Sequence, residues 1–394
     1  MMDVKKLAEE AESYIVERRR YYHARPELTC EEKNTRDSIH RDLEALGITD
    51  IRDASNCYGL IATIHGGKPG KTIALRADID ALSFQEETGL PFASCEAGKM
   101  HACGHDCHIA MLLGAAKILQ AHREELAGNV RLIIQPAEEI VAGANWMIED
   151  GALEGVDAIY GNHVWGTLDA PYVDFSPGSR MAYSGRFDIY VNGMSAHAAN
   201  PHLGADAITC AALIIDNLQR YVSRMNDPLN PLVLTIGTIE GGNRFNAVAN
   251  RVHMEGVTRA YSADLHEKVM RQIIENTAKA MGMTATLEYD DVVAPVLNDD
   301  DELTKLAQDV VTRLYGEETL TELPPMMGSE DFANYAAKIP AVFGFLGCRN
   351  EAKGIIYGNH HEKFDVDESI LPRGTAIMTQ FAVDYLAKNA PDQA

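Results

Sequence analysis

The 394-residue chain has no run of about 18 apolar residues, and its opening, MMDVKKLAEEAESYIVERRR, has no apolar segment of the kind that leads a secreted protein. Neither membrane spanning nor export is expected, which points to a cytoplasmic protein. Basic residues are scarce: 35 Lys and Arg stand against 58 Asp and Glu, a formal net charge of −23. A surface that acidic repels phosphate backbones and anionic bilayers, so no nucleic-acid and no membrane partner is expected. Cysteine is sparse as well. Seven residues, an odd number scattered from Cys30 to Cys348, argue for reduced thiols acting singly rather than for a disulfide framework. What is present, 46% apolar and 24% charged residues, is ordinary for a soluble globular protein, and the length exceeds what one core usually supports.

Periodicity organises the chain into alternating strands and helices. Apolar residues recur at helical spacing from Val4 to Ile15. Thr29 and Glu32 have the spacing of a capping box, and Gly47 closes the helix that follows. Two apolar runs, 60–65 and 72–77, flank a Gly-Gly-Lys-Pro-Gly turn, as in a strand–turn–strand unit. Helices are expected at 107–122 and 143–150, and strands at 130–135 and 156–160. From about 184 the order becomes strand 186–191, helix 204–224, strand 232–239, strand 252–259, helix 263–281 and strand 284–289. This βαββαβ order is that of a ferredoxin-like unit. Helices near 301–314, 329–337 and 368–387 and a strand at 341–346 then resume the first rhythm. The expected architecture is α/β: a three-layer catalytic domain (1–183 and 293–394) interrupted by an inserted ferredoxin-like lid or dimerisation domain (184–292).

The chemistry concentrates in a few places. Residues 101–108, His-Ala-Cys-Gly-His-Asp-Cys-His, bring five histidine and cysteine side chains able to bind metal just before a helix, whose N-terminus would favour a thiolate at Cys103. Glu138 and Glu139 follow the strand ending at Gln135, where open α/β sheets bind ligands, and adjacent acids can divide metal binding from proton transfer. His163 follows the next apolar strand. A mixture of sulfur, imidazole and carboxylate donors suits Zn, Mn, Co or Ni better than Mg or Ca.

Seven stretches in order, RADIDAL (76–82), HACGHD (101–106), QPAEE (135–139), GNHVW (161–165), SAHAANPH (195–202), GSEDF (328–332) and HHEKF (360–364), resemble the M20 metallopeptidases, specifically their amidohydrolase branch. The resemblance implies two divalent metal ions held by Cys103, His105, Glu139, His163 and His360, with Cys103 between them and Glu138 as general base. It implies His197 as the group that donates to the oxyanion, on closure or across a dimer, and Asn246 and Arg259 as binders of a substrate carboxylate. Asp78 and Asp106 would support the ligands by accepting a histidine N–H. The implied activity is hydrolysis of N-acyl amino acids or similar amide conjugates. A dipeptidase or carboxypeptidase acting on short peptides is the alternative, a non-catalytic binding protein a more distant one, and assembly a homodimer or higher homo-oligomer through the lid.

Overall fold

The computed structural model describes residues 2–262 and 266–391. The chain divides into two compact units: Met1–Arg180, Leu297–Pro324 and Asp331–Ala394 form the larger, and Met181–Val296 with Pro325–Glu330 the smaller. Along the chain come α1 (Val4–Glu10), α2 (Glu12–His23), α3 (Lys33–Ala45), β1 (Asp50–Asp53), β2 (Leu60–His65), β3 (Lys68–Asp78), α4 (His105–Ala121), β4 (Ala127–Gln135), α5 (Gly143–Glu149), β5 (Ala158–Asp169), β6 (Val173–Asp174) and β7 (Gly178–Met181). Then follow β8 (Tyr183–Asn192), α6 (Ala207–Arg220), β9 (Leu232–Gly241), β10 (Arg251–Ala260), α7 (His266–Ala280) and β11 (Thr284–Val293). The last are β12 (Val296–Asn298), α8 (Asp301–Tyr315), α9 (Phe332–Ala336), β13 (Ala341–Arg349) and α10 (Ile370–Lys388). The first three residues of the helix expected at 263–281 lie outside the described residues. No helix among the described residues is long and apolar enough to cross a membrane.

The larger unit is built on a seven-stranded sheet in the order β1-β2-β4-β3-β5-β13-β6. Strands β4, β3, β5 and β13 run parallel, and β1, β2 and β6 are antiparallel to their neighbours. Helices cover both faces. On β5, Tyr160 packs on Phe381 of α10, while the next residue, Gly161, faces Phe332 of α9, so adjacent positions bury against opposite layers. Helix α4 lies in the interior and is buried around most of its circumference, which is why its sequence is apolar on nearly every side.

Three local expectations change. β2 and β3 are not neighbours; β4 lies between them, antiparallel to one and parallel to the other. The strand expected to end at Tyr160 continues to Asp169, because β13 pairs along its whole length. Thr29 and Glu32 do not cap α3, which starts without a side-chain cap; both side chains are used elsewhere. At the other end of α3 the expectation holds. Gly47 takes φ +82°, its N–H bonds the Glu44 carbonyl, and Ile48 N–H bonds the Leu43 carbonyl, a Schellman closure.

The smaller unit is a four-stranded antiparallel sheet ordered β11-β8-β10-β9, with α6 and α7 inserted in βαββαβ sequence, the ferredoxin-like arrangement. Its core is one face of the sheet (Phe187, Ile189, Val191, Val252, Met254, Leu287) against Ile214 and Leu218 of α6 and Met270 and Ile274 of α7. β9 is an edge strand with Val233 and Ile239 exposed.

Candidate metal centre

The carboxyl ends of β3, β4 and β5 come together. Asp78 of β3 lies opposite Gln135 of β4, and Leu75 lies opposite Tyr160 of β5. Strand order reverses about β3, whose two neighbours are β4 and β5, and such a switch opens a crevice at the strand ends. Into this crevice the turn 101–104 delivers the start of α4. Gly104 caps the helix at φ +92°, and a Cβ there would overlap Val164 Cγ2, so only glycine lets this turn lie against β5.

Five side chains singled out from the sequence converge. Cys103 Sγ lies 3.4 Å from His163 Nε2 and 3.3 Å from His360 Nε2. Glu139 Oε1 lies 3.5 Å from His360 Nε2 and 3.9 Å from His105 Nε2. Two three-residue donor groups, Cys103/His105/His163 and Cys103/Glu139/His360, therefore share Cys103, and Glu138 joins His105 and Glu139 in a third. His163 lies within β5 rather than after it. Of the adjacent histidines, His360 (φ +63°) turns toward Cys103, whereas His361 stacks on Tyr357.

Hydrogen bonds fix which nitrogen of each ring is presented. His105 Nδ1 donates to the Asp80 carbonyl at 2.8 Å, and His163 Nδ1 donates to the Val164 carbonyl at 2.7 Å. Each Nε2 lone pair is thus directed at the cluster. His105 Nε2 and Glu139 Oε1 are buried and have no hydrogen-bond partner among the described residues. Orphaned buried acceptors of this kind are rare unless something else binds them. Their spacing also suits ligand atoms held about 2.0–2.3 Å from a common ion. The residues fit a divalent metal.

Asp78 and Asp106 each accept a histidine N–H, but from His108 and His23 rather than from a histidine of the cluster. Asp106 accepts from Arg19 Nε (2.9 Å) and His23 Nδ1 (2.8 Å), and so braces α2 against α4 rather than holding a cluster histidine. Asp78 accepts from His108 Nδ1 at 2.5 Å and Arg76 Nη1 at 2.6 Å, and lies 3.8 Å from His105 Nε2. Arg76 also bonds Gln135 and Asp331, so the RADIDAL, QPAEE and GSEDF stretches share one buried network. A further carboxylate at the centre, Asp80, was passed over by sequence reasoning. Its Oδ1 accepts Glu138 N–H and its Oδ2 accepts Glu139 N–H, each at 3.1 Å, while Thr29 Oγ1 donates to Oδ2 at 2.7 Å. Asn359 was also missed; its amide bonds the Cys103 and Val164 carbonyls and accepts Gly166 N–H, tying three segments under the cluster. The second aspartate of RADIDAL and the asparagine before His360 were the signals available in the sequence.

The electrostatics of the cluster call for a cation. Burial and the nearby Glu139, Glu138 and Asp78 carboxylates push the Cys103 thiol well above its usual range, so the helix terminus alone does not yield a thiolate. Burial opposes charging of His105, yet Asp78, Asp80 and Glu139 raise it to about 10. Burial and the neighbouring His108 push His163 well down. A buried group of carboxylates around a thiol is neutralised by a bound cation.

The remaining candidates belong to the smaller unit. His197 is exposed and pairs by a backbone bridge with Ala247, and Ala198 N–H bonds the Asn246 carbonyl, so His197 and Asn246 sit side by side. They lie beyond the start of β10, at Arg251. Arg259 is near the other end of that strand, about 27 Å away at 3.4 Å per residue, with its guanidinium on Ser329 Oγ. Within this unit the three are not one group.

Residues 74–384 match the pattern of Peptidase family M20/M25/M40. The chain is 36% identical over 384 residues to "Thermostable carboxypeptidase 1" of Saccharolobus solfataricus, covering 96% of this chain and 97% of that one. It is 39% identical over 383 residues to "IAA-amino acid hydrolase ILR1-like 2" of Arabidopsis thaliana, covering 96% and 86%. A Bacillus subtilis structure described as a dinuclear metal binding peptidase from the M20 family superposes with a TM-score of 0.85 at 34% identity, covering 96% of this chain and 99% of that one. The chain belongs to the M20/M25/M40 peptidase family. It is a hydrolytic enzyme.

Proposed function

We propose that this hydrolase cleaves the amide bond of N-acyl amino acids or similar amide conjugates, using two divalent ions held by Cys103, His105, Glu139, His163 and His360. The observation that carries the reading is the sharing of Cys103 by two donor groups, with Glu138 at their margin and outside both. The mixed donor set favours Zn, Mn, Co or Ni. Ions bound there supply Lewis acidity and lower the pKa of water from about 15.7 toward 7. Glu138 takes the proton of the attacking water as its oxygen adds to the scissile carbonyl carbon, then delivers that proton to the nitrogen as the C–N bond breaks. His197 donates an N–H to the developing oxyanion, and Asn246 and Arg259 hold the substrate carboxylate, the guanidinium by a bidentate grip.

The distance along β10 bears on how these groups meet. One small substrate does not reach both His197 and Arg259 of the same smaller unit, which supports a homodimer in which His197 and Asn246 serve the partner's site. The exposed apolar edge of β9 supports pairing through that unit. The absence of a membrane-spanning helix among the described residues and the seven free cysteines support a cytoplasmic location. The carboxypeptidase similarity favours a second reading, short peptides at the same centre. Turnover of N-acetyl and N-benzoyl amino acids is compared with that of unblocked dipeptides. Higher kcat/KM on the blocked amino acids supports the proposal, and higher kcat/KM on dipeptides replaces it with the second reading.

A further inference from the structure

The stretch that carries Glu138 is buried and is held by hydrogen bonds as well as by packing. Ala137 adopts φ +55°, a left-handed conformation uncommon for a residue with a Cβ, and Val141 adopts φ +53°. Three successive N–H groups then face two carboxylates. Ala137 donates to Glu32 Oε1 at 2.9 Å, and Glu138 and Glu139 donate to Asp80. Behind the stretch, Pro136 borders a cavity of about 450 Å³, also lined by Cys30, Glu32, Arg36, Tyr58 and Trp146. Glu32 is fully buried and comes from the turn that also supplies Thr29, the hydroxyl on Asp80. The Thr29–Glu32 spacing that resembles a helix cap thus serves residues more than fifty positions away.

We infer that Glu32 is a positioning residue for catalysis: by accepting the Ala137 N–H it holds the left-handed turn that aims the Glu138 carboxylate. This rests on the reading of Glu138 as the general base. Misplacing a reacting group by 1 Å costs as much as ~10²-fold in rate, so losing one of the three anchors is expected to lower kcat about 10- to 100-fold. KM and metal affinity are expected to stay near wild type, because the substrate-binding groups and the Asp80 contacts persist.

The test measures kcat, KM and metal affinity for E32Q, E32D, E32M, C30A and E138Q. E32Q retains an oxygen at the same reach and is expected within about threefold of wild-type kcat. E32D keeps the carboxyl group but withdraws it by one methylene, E32M fills the space without an acceptor, and both are expected to lose kcat selectively. C30A alters the same cavity wall and is expected to match wild type. Wild-type kcat in E32D and E32M, an E32Q loss equal to that of E32M, or a C30A loss equal to that of E32M each overturns the role of Glu32. Wild-type kcat in E138Q overturns the base reading instead, so the two failures are distinguishable. Amide exchange in the unaltered enzyme is a second test that needs no variant. Ala137, Glu138 and Glu139 are expected to exchange together and slowly, and an Ala137 amide exchanging as fast as an unstructured peptide overturns the proposal.

Discussion

Replacing Asp80 by asparagine probes the support of the centre without changing its shape. The buried carboxylate takes Glu138 N–H on Oδ1, Glu139 N–H and the Thr29 hydroxyl on Oδ2, and has His105 Nδ1 3.3 Å from Oδ1. An amide offers only one oxygen. With its nitrogen on the Oδ1 side it confronts Glu138 N–H and the His105 ring; on the Oδ2 side it confronts Glu139 N–H. Either orientation leaves at least one buried donor unsatisfied, which costs about 1–3 kcal/mol, and the remaining bonds lose the strengthening that an ionised acceptor confers, roughly another 1 kcal/mol. Asp80→Asn is therefore expected to destabilise the larger unit by about 2–4 kcal/mol in the metal-free protein, read from the shift of its denaturant midpoint at constant slope. It is also expected to lower metal affinity or activity about 10- to 100-fold, the range for groups that orient ligands from behind. An Asp80→Asn protein within about 0.5 kcal/mol of wild type and with undiminished turnover would refute this account of the support.

Burial, reinforced by Asp80, raises the Glu32 carboxyl to about 7. Below the ordinary pKa of about 4.5 both folded and unfolded chains hold the proton. Between about 4.5 and 7 only the folded chain does, so the Glu32 contribution to stability is expected to fall as pH rises through that window, by up to about 3 kcal/mol. E32Q should lack that contribution, and the difference between wild type and E32Q on denaturation at pH 4.5 and 7.5 checks it. His197→Ala should lower kcat while leaving bound metal unchanged, as elemental analysis beside kinetics would show; lost metal would instead place His197 among the ligands. Gly104→Ala places a Cβ on Val164 in a left-handed residue, and about 2–5 kcal/mol of destabilisation is expected from strain and overpacking. An unshifted midpoint would contradict that packing.

The strands and helices of both units were legible because their apolar periodicity coincides with the faces that are buried, most plainly in α6 and α7. The cluster was legible for a different reason: Cys103, His105, Glu138 and Glu139 sit at element ends, where composition departs from the needs of packing. The supporting groups were not. Asp80 and Glu32 are ordinary acids in sequence, and what distinguishes them is burial and reach across 58 and 105 positions to Glu138 and Ala137, which local pattern does not carry. The placement of β4 between β2 and β3 is likewise a long-range pairing, and the Gly-rich turn joining β2 to β3 reads the same in a hairpin or across an intervening strand.

The central claim is that Cys103, His105, Glu139, His163 and His360 hold two ions on which amide hydrolysis depends. It is tested most directly by titrating metal-stripped protein with Mn, Co, Ni or Zn singly, following heat of binding and turnover of an N-acetyl amino acid in the same samples. The account predicts two ions per chain, with turnover absent from the stripped protein and restored as the sites fill. Full turnover by the metal-free protein, or no binding by any of the four ions, would contradict it.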